Sequence, residues 1–355
     1  MSKQGWELHR IAGEPFEIGR QLGELARPVF DAYMQQSAAW RDVQAWRGHA
    51  FVEHLRDAAR AHCPDQLAEL DGMAAGLGWR ADDIFLWNCR GELVHNTPDG
   101  CTTFAAVRSG DTLIVHNEDG DPFLLGKGLL VDIQPKGKPG FISFYYPGSL
   151  PGHTFAANRA GLAQAINNLR IRQPVTGVPR MILARAVLDQ STLDQAVQLL
   201  HDTPRASGFH HTLGCAADDR ILSIEATVQR CSIVSVGTVS GHANHMIHDG
   251  CDNEAQFITD SSRDRQARVD GLLPTVVPIV GAQANGKALL RVLRDQAPSG
   301  LPIYRDDPHD PDDENTLATA LFDIQRDGVA MQVHRQGVPV FEHFIPRVAG
   351  PNAAL

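Results

Sequence analysis

Between Pro15 and about Ala75 the apolar positions recur with a helical period: Phe16, Ile18, Leu22 and Leu25 form one stripe, and Leu67, Leu70 and Met73 another. Gly76 and Gly78 punctuate that stretch. Asp82 and Asp83 precede Ile84-Phe85-Leu86-Trp87, which predicts a capped helix running to about Leu93. The first hundred residues read as mainly helical. At Cys101 the texture changes, because Thr102 to Val107 and Thr112 to Val115 flank Ser109-Gly110 and predict a β-hairpin. Strand pairs follow at Leu129 to Ile133 with Phe141 to Tyr146, and at His153 to Ala157 with Leu162 to Ile166. Helices are predicted at Arg180 to Leu188 and, after Ser191 and Thr192, at Leu193 to Leu200. Strand-like runs then occupy about His211 to Val239, a helical pair spans Arg263 to Leu273 and Ala288 to Leu293, and a last hairpin joins Thr316 to Ile324 with Val329 to His334. This order gives an α+β plan of antiparallel sheets with segregated helices, and a four-layer αββα sandwich fits it.

Composition narrows the function. Of 355 residues, 43% are hydrophobic and 21% charged, as in ordinary globular proteins with a packed core. A formal charge of −10 argues against an extended phosphate-backbone contact, so nucleic acid is excluded as the expected partner. The amino end lacks a signal-peptide plan and no apolar run reaches membrane-span length, so a cytoplasmic chain without a membrane partner is expected. Six scattered cysteines fit reduced thiols better than a disulfide framework.

Cys101 opens a predicted strand directly after Gly100. A thiol attacks as thiolate and needs a base to take its proton. The nearest histidines in sequence are His95 and His116, and neither is an obvious partner. Cleavage of the Gly100–Cys101 bond would free an α-amine beside the thiol, with an unperturbed pKa near ~8. The cysteine would then carry its own base. Gly100 lacks a Cβ and tolerates the distorted backbone that such a shift requires, and the hydroxyls of Thr102 and Thr103 can assist it. Taken alone, Asp99 to Thr103 is a weak signal, and the reading it favours is a small buried strand cysteine.

The surrounding chain adds weight. It resembles the isopenicillin N acyltransferase family through Gly13 to Gly19, Asp99-Gly100-Cys101-Thr102-Thr103, His116-Asn117-Glu118-Asp119, Thr176-Gly177-Val178-Pro179, Ala243-Asn244-His245, Ser261-Ser262-Arg263 and Tyr304-Arg305. That family consists of N-terminal-nucleophile enzymes whose relatives hydrolyse amides such as β-alanyl amines. The resemblance implies self-cleavage at Gly100–Cys101 into an α chain 1–100 and a β chain 101–355 that stay associated as one αββα domain. It implies Cys101 as nucleophile, Asn244 as oxyanion-hole amide, and Asp119 and Arg305 at the family's other active-site positions. Thr227 would be the hydroxyl near the nucleophile linked to processing, alongside Gly100, Cys101 and Thr103.

Strand alternation puts Val115, Asn117 and Asp119 on one face and His116 and Glu118 on the other, so Asp119 is expected to face the site and Glu118 to face away. The alternative for Asp119 is a hairpin-end carboxylate capping backbone donors. For Arg305 the alternative is a surface ion pair with Asp306 or Asp307. The fungal acyltransferase has an aromatic residue where Glu118 stands, which argues against a β-lactam substrate; an inward-turned Glu118 would suit an amine-bearing one.

The expected activity is hydrolysis of a small N-acyl or aminoacyl amide through a thioester on Cys101, with no cofactor. The alternatives are an acyl-CoA-dependent amine N-acyltransferase and, from another class, an uncleaved ligand-binding protein. The state of assembly, including a homo-oligomer, is left open. Two other features are read as structural. His242, His245 and His248 have a metal-like spacing, but turn residues bracket them and the reading is strand and loop with no metal. The acidic run Asp306 to Glu314 reads as a solvated loop, since it lacks a calcium-loop spacing.

Overall fold

The computed structural model describes residues 5–94, 98–108, 111–282, 286–297 and 300–348; His95 and the Ser109-Gly110 turn fall outside them. The chain starts with a strand, β1 (Leu8–Gly13), followed by α1 (Pro15–Gln36), α2 (Ala38–Val43), α3 (Ala50–His62), α4 (Pro64–Leu77), α5 (Ala81–Asn88) and α6 (Arg90–Leu93). From Cys101 come β2 (Cys101–Arg108), β3 (Asp111–Gly120), β4 (Leu129–Pro135), β5 (Phe141–Tyr145), β6 (Phe155–Asn158) and β7 (Leu162–Leu169). Then follow α7 (Arg180–Val187), α8 (Leu193–Asp202), β8 (Gly208–Cys215), β9 (Asp218–Ala226), β10 (Cys231–Ser235) and β11 (Val239–His242). The chain ends with α9 (Asp260–Ala282), α10 (Gly286–Val292), β12 (Asn315–Gln325), β13 (Gly328–Arg335) and β14 (Val338–Pro346).

Among the described residues the strands form an eight-stranded sheet, β1-β4-β5-β6-β7-β8-β9-β10, and a six-stranded sheet, β11-β2-β3-β12-β13-β14. The sheets face each other through β2 and β3 on one side and β7 to β9 on the other. Phe155 of the larger sheet meets Phe322 and His116 of the smaller one there. Helices α1, α4, α7 and α8 lie with the larger sheet, while α9 and α10 pack on β11, β2, β3 and β12. This is the expected αββα layering. The pairings are antiparallel except for β1, which adds to the edge parallel to β4 in the register Leu8↔Leu130. No helix among the described residues is long and apolar enough to cross a membrane.

Three local readings change. Asp82 and Asp83 do not cap α5: its N-cap is Arg80 and the two acids sit in the first turn, where negative charge is also favourable. Gly78 does end α4, in a left-handed conformation, but Gly76 lies inside the helix. There, with Gly72, it faces Gly19 and Gly23 of α1; a Cβ on Gly72 would fall 1.9 Å from the Phe16 carbonyl oxygen. The glycines let two helix backbones touch. Finally, β14 continues the last hairpin through Gln336 and Gly337, both at positive φ, a two-residue turn in which glutamine gives little sequence signal.

Candidate active site

A two-residue connection pairs Arg108 with Asp111, which sets Cys101 opposite Glu118, Thr102 opposite Asn117 and Thr103 opposite His116. Directly paired residues share a face. Cys101, Thr103, His116 and Glu118 therefore point one way, and Thr102, Asn117 and Asp119 point toward α9 and α10. The alternation is as expected, but the faces are exchanged: Glu118, not Asp119, shares the pocket with the Cys101 thiol. The signal was present in the sequence, since a turn centred on Ser109-Gly110 already implies the Cys101–Glu118 pairing.

Glu118 accepts hydrogen bonds from Tyr146 Oη (2.9 Å) and lies 3.0 Å from His116 Nε2. The Thr103 hydroxyl donates its one proton to Asn167 Oδ1 (2.7 Å), so His116 Nδ1 must donate to Thr103 Oγ1 (2.8 Å). His116 Nε2 is then bare, and the proton between it and Glu118 sits on the carboxyl. Burial drives Glu118 well above the carboxylate range and His116 down to about 3, which agrees with a neutral pair. Burial, and next the nearby Glu118, also push the Cys101 thiol well above its ordinary value. In the intact chain Cys101 is a neutral thiol.

Asn244 lies in the loop between β11 and α9, which is fixed by backbone donation: Ala243 N–H to Gln266, Asn244 N–H to Ser262 and Ile247 N–H to Glu225. Its side chain accepts from the Cys101 N–H through Oδ1 (2.8 Å) and donates from Nδ2 toward Cys101 Sγ (3.4 Å) and Asn168 O (3.2 Å). One amide thus touches both functional atoms of Cys101. Arg265, which sequence reasoning missed, donates to Asn244 Oδ1 (2.7 Å), the Cys101 carbonyl and Thr102 Oγ1.

Asp119 and Arg305 lie across the sheet from the pocket. The Asp119 carboxylate accepts from Thr316 Oγ1 (2.6 Å), while its backbone N–H donates to the Gly100 carbonyl (2.9 Å). Burial raises its pKa, and Arg265 and Arg305 oppose that rise. Arg305 is fully buried and pairs with Asp310 and Glu314, not with Asp306 or Asp307. The acidic run therefore cannot be read as wholly solvated. Thr227 is not brought to the nucleophile: its hydroxyl donates to Glu254 (2.6 Å) and accepts from the Arg230 N–H.

The histidines do not converge on a point. His242 bonds Glu225, His245 bonds Ser262 and His248 bonds Ser223, while His210 stacks on His242 at 3.6 Å between ring centroids. The group of close metal-type ligands found among the described residues is Cys101, His116 and Glu118, within 4.8 Å of one another and already bonded as above.

Beside Cys101 the cavity is small and largely apolar, with Tyr33, Trp87, Ile166, Met181 and Phe209 in its wall. Arg90 enters it, donating to the Trp87 carbonyl and Ser149. Pro98 and Asp99, just before the Gly100–Cys101 bond, close one side, with Asp99 accepting from Arg170 (2.9 Å).

The sequence model described as "Acyl-coenzyme A:6-aminopenicillanic acid acyl-transferase" matches residues 107–337, well over half of the chain. The chain belongs to this acyltransferase family. The motif resemblance is thereby borne out. The chain is also 25% identical over 214 residues to the beta-alanyl-dopamine/carcinine hydrolase of Drosophila melanogaster, covering 53% of this chain and 54% of that protein. It thus spans about half the length of that curated relative. Two solved structures are similar at low level. The Caenorhabditis elegans ortholog of N-acylethanolamine-hydrolyzing acid amidase has 13% identity and a TM-score of 0.39 over 64% of this chain and 98% of that one. A variant of the conjugated bile acid hydrolase of Clostridium perfringens has 12% identity and a TM-score of 0.42 over 66% and 89%.

Proposed function

We propose that this member of the acyltransferase family is an amide hydrolase that matures by cleaving its own Gly100–Cys101 bond and then uses Cys101 as an N-terminal nucleophile. The observation that carries the reading is the grip of the Asn244 amide on both the nitrogen and the sulfur of Cys101. In the mature form the freed α-amine takes the thiol proton and Sγ attacks the acyl carbon. The developing oxygen charge is stabilised by the Asn244 Nδ2–H, the amine leaves with the proton, and water hydrolyses the thioester. Asp119 and Arg305 act from the opposite face, by fixing the backbone around residues 100 and 101. Thr103 holds His116, and through it Glu118. Thr227 has no part in the reaction.

The substrate class we propose is a small aminoacyl amide. Glu118 turns into the pocket next to Cys101, where a carboxyl can meet an amine of the substrate, and the Drosophila relative is named for β-alanyl conjugates. The family's description favours one second reading, transfer of the acyl group to an amine from acyl-CoA. A screen of N-acyl and aminoacyl amides, with and without an acyl-CoA and an acceptor amine, separates the two when both products are detected by mass. Release of free acid without CoA supports hydrolysis; product that forms only with acyl-CoA and amine contradicts it.

A further inference from the structure

We propose that Glu314 is a positioning residue for self-cleavage and that it restricts position 100 to glycine. The inference rests on the self-cleavage reading above. Backbone groups on both sides of the Gly100–Cys101 bond are held. The Gly100 N–H donates to Glu314 Oε1 (3.1 Å), and the Gly100 carbonyl accepts from the Asp119 N–H (2.9 Å). The Cys101 N–H donates to Asn244 Oδ1 (2.8 Å), and the Cys101 carbonyl accepts from Arg265. Glu314 therefore fixes the peptide just before the bond to be broken.

Its carboxyl is itself fixed. Arg305 Nη1 donates to Glu314 Oε2 and to Ser261 Oγ (2.7 Å), while Arg305 Nε donates to Asp310 (2.9 Å). Glu314 and Asp310 are buried, although Asp306 to His309 and Pro311 to Asp313 are exposed. The acidic run is thus a wrap around Arg305 that delivers one carboxyl to Gly100.

A Cβ at position 100 would lie 2.5 Å from Glu314 Oε2 and 3.3 Å from Arg265 Nη2. The first distance is shorter than real Cβ contacts, and Oε2 cannot swing away without leaving Arg305. Gly100 is not among the glycines at positive φ. Glycine is needed here for space beside a clamped carboxyl, not for backbone freedom.

In the reaction, Cys101 Sγ attacks the Gly100 carbonyl carbon and the C–S bond forms as the bond to the Cys101 nitrogen breaks. The thiol proton ends on that nitrogen. Water then hydrolyses the thioester, restoring the thiol and leaving a carboxylate on Gly100. Glu314 exchanges no proton in these steps; it holds the Gly100 peptide so that the carbonyl carbon stays beside the thiol.

The test follows cleavage over time, by denaturing electrophoresis and intact mass, with folding checked by circular dichroism. Wild type should cleave and Cys101→Ala should not; if wild type stays whole, the self-cleavage reading fails before Glu314 is considered. Gly100→Ala should slow cleavage by ~100-fold, the cost of an ångström-scale misplacement. Glu314→Gln keeps the shape without the charge and should slow it by roughly tenfold. The deciding variant is Gly100→Ala/Glu314→Ala, which removes the obstructing carboxyl and should cleave at least ~10-fold faster than Gly100→Ala, because residues in contact are not additive. If the alanine double variant does not fold, Gly100→Ala/Glu314→Asp carries the same comparison, as the shorter acid makes room while keeping its charge near Arg305. A double variant no faster than Gly100→Ala, or Glu314→Ala cleaving at the wild-type rate, overturns the proposal.

Discussion

Cys101 and Glu118 occupy paired positions on adjacent strands, and this sets the chemistry of the thiol. Buried and with an acid as its neighbour, the thiol of the uncleaved chain stays protonated. Iodoacetamide at pH 8 should therefore label Cys101 slowly in an uncleaved Gly100→Ala chain and much faster in mature protein, where the α-amine lies beside the sulfur; peptide mapping reads both rates, and equal rates would contradict the account. Asn244→Ala should lower turnover by ~100-fold or more in a folded, cleaved enzyme, measured by steady-state kinetics. Glu118→Gln should raise KM for aminoacyl amides by roughly tenfold, because an amide, unlike the neutral Glu118 carboxyl, has no acidic proton to give up to the substrate amine, and leave neutral N-acyl amides nearly unchanged. Which residues come together was largely legible: Gly100, Cys101, Asn244, Asp119 and Arg305 lie within one bonded neighbourhood. What they touch was not. The partners of Arg305 depend on how residues 306–314 fold back, and Arg265 carries no motif, since its place on α9 becomes meaningful only when that helix packs on β2.

At the scale of elements, hydrophobic period was a reliable guide where one face is buried. It located α1, α4, α7, α8 and the hairpin β2–β3, and Thr192 does cap α8 by accepting from the Gln195 N–H. It missed two edge strands, β1 and β14. β1 was hidden because its partner, β4, is more than a hundred residues away, and such pairing leaves no local turn signal. The helices of the first hundred residues depend on close approach as well as period. Gly72→Ala should lower stability by about 1–3 kcal/mol, because the added methyl forces α1 away from α4. Chemical denaturation measures this, and an unchanged midpoint would contradict the packing.

For the molecule as a whole, the 1–100 and 101–355 portions share one core. β1 is a strand of the larger sheet, and Glu69 of α4 forms a buried two-point pair with Arg185 of α7, at 3.0 and 2.6 Å. Glu69→Ala should cost roughly 3–5 kcal/mol, because it leaves a buried guanidinium short of a partner, and in cleaved protein it should loosen the two chains, read by gel filtration. Cleavage by itself should not separate them. The central claim is that the intact chain is a precursor. Its most direct measurement is denaturing electrophoresis of purified protein with N-terminal sequencing of each band. The account predicts chains of roughly 11 and 28 kDa, taking ~110 Da per residue, with the larger beginning Cys-Thr-Thr. A fully active preparation containing a single uncleaved chain of 38.7 kDa would contradict it.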